Sequence, residues 1–246
     1  MLSPEVTLAI FLVGTFAAAL VAGLSGFAFA LVALAIWLHA LTPSQATPLI
    51  AAYALLVQGY AVWKLRHTLD ARRLAPFVFG SVLGVPAGVA VLQWVSPAHL
   101  RMTAGVLLVV FSLYNLVRPT LPKIQHSGGA TDTGVGFLNG VIGGSTGLAG
   151  ILVVIWSGLR GWPRDEQRAV FQPTAVATFL VTILALGGTG IITPDTARLF
   201  FFGLPALAVG TWLGWKLYGK LNEASFRRVV LALLLISGLA LVAAAR

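Results

Sequence analysis

Apolar runs about as long as a lipid bilayer is thick recur from one end of this chain to the other, and nothing else constrains its fold as strongly. Roughly 17–25 consecutive apolar residues span the ~30 Å hydrocarbon core. Ten apolar segments are readable: Val6–Ala22, Phe27–Leu38, Ala46–Trp63, Ala75–Val95, Leu100–Val117, Thr133–Ile142, Leu148–Leu159, Ala169–Leu186, Leu199–Leu217 and Ala224–Ala245. Periodicity does not identify them, because a helix apolar on all sides has little moment. Length does, together with the need to satisfy every backbone polar group in lipid. The expected fold is an all-α polytopic membrane protein. Only 9% of the residues are charged, against roughly 25% in a soluble domain, so no room remains for a soluble domain. The absence of cysteine excludes disulfides and thiolate chemistry. The opening "MLSPEVTLAIF" lacks the basic n-region of a cleaved signal peptide and reads as retained structure. The net charge of +9 comes from basic residues in short loops, the pattern of topology determinants, so no nucleic-acid partner is expected.

Two of these runs are broken by glycines and hydroxyls, in "GLSGFAFA" (Gly23 to Ala30) and "GGSTGLAG" (Gly143 to Gly150). The breaks are related. A shift of 121 lays Phe16, Gly23, Gly26, Ala28, Leu31, Val32 and Leu38 on Phe137, Gly144, Gly147, Ala149, Leu152, Val153 and Leu159. A shift of 126 lays Arg72, Gly84, Gly88, Ala98 and Arg101 on Arg198, Gly210, Gly214, Ala224 and Arg227. The chain therefore divides into a first transmembrane repeat (1–117), a polar linker (118–132) and a second repeat (133–246) in one integral membrane domain.

Charge decides how the broken segments run. If each crosses as a single kinked helix, the Lys and Arg residues split 8 against 8 across the membrane. If each dips in and returns as a V, the split is 13 against 3, with the linker on the basic side. The positive-inside rule selects the second and makes the linker cytoplasmic. Each half is then one re-entrant, V-shaped helix pair plus three transmembrane helices. Three is odd, so the second half is inverted relative to the first, the arrangement of many secondary transporters with midplane sites at discontinuous helices.

At each tip a helix starts in mid-membrane, with unpartnered amides and a partial positive charge. Two such ends converging from opposite faces would make an anion site that needs no Lys or Arg. Gly23, Gly26, Gly144 and Gly147 would let a ligand approach the backbone, and Ser25, Ser145 and Thr146 would cap or donate. The same small residues would equally permit close helix packing. The acidic residues Glu5, Asp70, Asp132, Asp165, Glu166, Asp195 and Glu223 fall in loops or at helix ends, which suits an anion better than a cation. Thr47 and Gln172, beside Pro48 and Pro173, open the helices after the hairpins and could complete the site; helix-start chemistry accounts for them as well. Asn139, in the first arm of the second V, either faces the ligand or bonds a neighbouring helix. No metal site and no cofactor are expected. No Cys, intramembrane His or carboxylate offers a catalytic group, so no enzyme is expected.

The segments "GLSGFAFALVAL", "GVIGGSTGLAGILVVIW" and "QRAVFQPTAVATF", with the linker between four-segment halves, resemble the sulfite exporter TauE/SafE family over nearly the whole length. The resemblance implies a multi-pass plasma-membrane (bacterial inner-membrane) transporter that exports a small sulfur-containing anion, sulfite or an organosulfonate. The partners it implies are that anion and the lipid bilayer; homo-oligomerisation is left open. Gln172 and Pro48 depart from the small or hydroxyl residues the family pattern suggests at those places. A passive anion channel and a non-transporting membrane scaffold are the alternatives to a carrier.

Overall fold

The computed structural model describes residues 3–25, 28–65, 70–117, 128–217 and 223–244, and all its regular elements are helices. In chain order they are α1 (Pro4–Ser25), α2 (Phe29–Trp37), α3 (Pro43–Leu65), α4 (Ala71–Trp94), α5 (Pro97–Val117), α6 (Gly129–Thr146), α7 (Ile151–Leu159), α8 (Arg164–Gly187), α9 (Pro194–Leu217) and α10 (Glu223–Ala244). Each expected apolar segment is one helix. Among the described residues, Pro4–Leu24, Ala71–Trp94, Pro97–Val117, Asp165–Gly187 and Pro194–Leu217 are long and apolar enough to cross a membrane. The first of these, α1, with 22 residues, is about 33 Å long. Only the second arms are half-length, α2 and α7 having nine residues each, about 14 Å.

The chain forms two compact units that do not follow the sequence halves. One holds residues 1–50, 95–119 and 192–246; the other holds residues 51–94 and 120–191.

In the second unit α6 lies along α4 through two interlocked glycine stripes. A Cβ at Gly80, Gly84 or Gly88 would overlap the carbonyl oxygens of Thr133, Phe137 and Val141. Reciprocally, Gly136, Gly140 and Gly144 press on the carbonyls of Phe77, Ser81 and Val85. Partner residues advance together, so the two helices run parallel. Apolar side chains gain little from burial between helices in lipid, and small residues that let backbones approach supply the packing energy instead. Each Cα–H···O contact so formed contributes about 0.5–1 kcal/mol.

The first unit uses the same device twice. Gly210 and Gly214 of α9 meet the backbone of Phe16 and Leu20 in α1, with Gly23 directly against Gly214. Gly105 of α5 and Gly238 of α10 meet each other's backbone. The α1–α9 contacts repeat those of α6–α4 at the positions the sequence shifts equate: Phe16 with Phe137, Gly23 with Gly144, Gly210 with Gly84 and Gly214 with Gly88.

Both broken segments double back. Trp37, the last residue of α2, donates its indole N–H to the Phe11 carbonyl of α1 at 3.2 Å, and the two rings lie 5.0 Å apart. The cap of α7, Arg160, pairs with Asp132 in the first turn of α6 at 2.9 Å. Arg73 at the start of α4 pairs with Glu166 at the start of α8 at 2.6 Å. The starts of α4 and α8 thus lie at one end of the second unit, the arrangement expected of a re-entrant hairpin.

Candidate substrate site at the second broken helix

The tip of the α6–α7 hairpin is built from backbone outward. Gly147 closes α6 by donating its N–H to the Gly143 carbonyl at 2.9 Å, with φ 77°. Gly150 precedes α7 with φ 92°. Both angles lie in the left-handed region that an L side chain disfavours. Two turn amides are held by side chains: Leu148 N–H donates to Thr146 Oγ1 at 3.2 Å, and Gly150 N–H to Asn139 Oδ1 at 2.8 Å. Asn139 Nδ2 in turn donates to Ser81 Oγ of α4 at 3.3 Å, and Ser81 Oγ donates to the Gly136 carbonyl at 2.9 Å.

The depth of this tip follows from its neighbours on α8. Gly150 lies against Ala175 and Phe171, and Gly143 against Thr178. These residues sit near the middle of a 24-residue helix, about 36 Å long. The first turn of α7 therefore begins near half the height of a span-length helix. Among the described residues, no hydrogen bond closes on the amides of Ile151, Leu152 or Val153, and Ile151 and Val153 are buried. The helix dipole adds roughly half a positive charge at that point. The charged residues of this unit at Asp70, Arg72, Arg73, Asp132, Arg160, Asp165, Glu166 and Arg168 stand at the starts of α4, α6 and α8 or at the end of α7. Among the described residues, the tip is left to backbone dipoles and neutral groups.

The expected site residues divide by role. Gly144 and Gly23 serve helix packing, against Val85 and Gly214 respectively. Gly147 forms the turn. Ser145 Oγ and Thr146 Oγ1 donate back to Val141 and Ile142 carbonyls at 2.7 Å each. Asn139, fully buried, spends its carboxamide on Gly150 and Ser81. Gln172, next to Phe171, is buried in α8. Thr47 is buried in α3, in the part that belongs to the first unit. The side chain of Ser25, and Gly26, lie outside the described residues; Ala28, which follows them, takes φ 77° ahead of α2. The sequence reading missed Ser81 and Thr178. The i, i+4 series Thr174, Thr178, Thr182, all fully buried, was the signal for Thr178; Ser81 had only its place beside the Gly80–Gly84 pair.

No curated protein and no solved structure matches the chain. A family model described as sulfite exporter TauE/SafE matches residues 10–241 of the 246, from the second turn of α1 to the last turn of α10. This multi-pass membrane protein belongs to the sulfite exporter TauE/SafE family.

Proposed function

We propose that the chain is a secondary transporter that exports sulfite or an organosulfonate across the plasma membrane, with its linker in the cytoplasm. The anion is held at a broken-helix tip and carried by alternating access between two inverted repeats. The reading assigns the chain no catalytic role. One observation carries it beyond family membership: α7 starts at half the height of α8, and among the described residues no hydrogen bond closes on its first amides and no acidic side chain lies beside them. Fixed amide donors stabilise an oxyanion without a full counter-charge, and a site without Lys or Arg can release its cargo readily. The inverted arrangement draws support from the 13-to-3 distribution of basic residues.

The test is sulfite counterflow in proteoliposomes holding the purified chain. Saturable flux that rises with trans sulfite, and is competed by a short alkanesulfonate, is expected. Flux absent for both anions would overturn the reading; flux that is linear in concentration would replace a carrier with a channel.

A further inference from the structure

The foot of the α6–α7 hairpin carries a cluster that anion binding leaves unused. Asp132 is 8% exposed, unusual for a carboxylate unless it is paired. Its Oδ1 accepts the Trp156 indole N–H at 2.8 Å. Arg160 Nη1 donates to Oδ1 at 3.1 Å and to Oδ2 at 2.9 Å. All these bonds run from the first turn of α6 to the far end of α7. The Arg160 guanidinium also lies 4.6 Å over the Trp162 ring, with the Arg73 guanidinium 5.7 Å from the same ring.

Asp132 and Asn139 are two helical turns apart on α6, hence on one face. One fastens the end of α7 and the other its start, at Gly150. Two fixed points determine the axis of a helix only nine residues long. We infer that Asp132 is a positioning residue: through Trp156 and Arg160 it holds α7 along α6 and so keeps the amides of Ile151, Leu152 and Val153 aimed at one place. The inference deepens the anion-site reading and rests on it for its effect on substrate, whereas the clasp itself is a separate mechanical fact.

Hydrogen–deuterium exchange on the purified full chain tests the clasp, and sulfite-induced thermal stabilisation tests its consequence. Removing one partner of a buried pair is severe, so Asp132→Ala should speed exchange of the α7 amides at least about tenfold while α9 and α10 keep their wild-type rates. It should raise the sulfite concentration for half-maximal stabilisation by a similar factor. Asp132→Glu, which keeps the carboxylate, should stay within about threefold of wild type on both readouts. Unchanged α7 exchange in Asp132→Ala, or a rise spread equally over α9 and α10, would overturn the inference. Should Asp132→Ala not fold, Trp156→Phe removes one donor only; a smaller rise confined to α7 supports the clasp and no rise there overturns it. If sulfite fails to stabilise even the wild type, the anion site falls, and the exchange pattern still decides whether Asp132 holds α7.

Discussion

Asn139 shows how one side chain can be noticed in a sequence and given its role only by neighbours. A buried carboxamide needs partners whatever it does; here it finds Gly150 N–H on one side and Ser81 Oγ on the other. Asn139→Leu strands both and should cost about 1–3 kcal/mol, read as a lower melting temperature. Asn139→Asp, which can still accept from Gly150, should cost less. The glycines divide just as sharply. Gly84 presses on the Phe137 carbonyl, whereas Gly59 in α3 has open space where a Cβ would stand. Gly84→Leu should therefore lose at least about 3 kcal/mol through overpacking against backbone that has no rotamer to yield. Gly59→Ala should gain about 0.5–1 kcal/mol from the reduced entropy of the unfolded chain. Thermal unfolding in detergent separates the two; equal effects would refute the assignment of packing faces. Both residues are glycines within apolar runs, so nothing in their own identity told them apart.

At the scale of elements, type and number were legible, and boundaries were less so. The α6 segment reads as Thr133–Ile142 by apolarity, yet the helix runs from Gly129 to Thr146. Packing on α4 overrides the low helix propensity of its glycines and hydroxyl residues. The gain at its start brings Asp132 out of the expected linker into the first turn, where the dipole favours an acid. The anchors of the two short arms differ in chemistry. The α7 end is tied by the Asp132–Arg160 ion pair, whereas His39, just beyond α2, bonds Ser237 of α10 at 3.2 Å. Because Ser237 Oγ donates to the Ala35 carbonyl, the imidazole donates to Ser237. Partial desolvation, and then the nearby Arg101 charge, hold the His39 pKa below its ordinary 6.5. A folded-state pKa lowered in this way favours the neutral ring, so its stabilising contribution is present above pH 6.5 and is lost as pH falls through the lower folded value. Acidification from above pH 6.5 to below that value should lower the melting temperature of the wild type more than that of His39→Gln. Parallel pH profiles for the two proteins would refute this role.

At the scale of the whole molecule, each compact unit draws its hairpin from one half of the sequence and the helix packed on it from the other: α1 with α9, and α6 with α4. The two sequence halves are thus interleaved, which no scan along the chain reveals, because sequence shifts relate residues without saying which of them touch. Since the natural chain lacks cysteine, single introduced cysteines report topology directly. Ala71→Cys and Asp165→Cys, at the end of the second unit joined by Arg73 and Glu166, should label from the same side of the membrane. Ala98→Cys, beyond the span-length α4, should label from the other. Labelling of Ala71→Cys and Asp165→Cys from opposite sides would restore the single kinked crossing. The sequence by itself determined that the chain lives in lipid as helices, where two of them break and which glycines correspond, because hydropathy, length and backbone satisfaction are properties of a segment alone. The tertiary structure alone decided which glycines turn the chain and which admit a neighbouring backbone, and that Asn139 and Asp132 brace a helix. A residue without a side chain satisfies both demands equally until a second helix stands beside it.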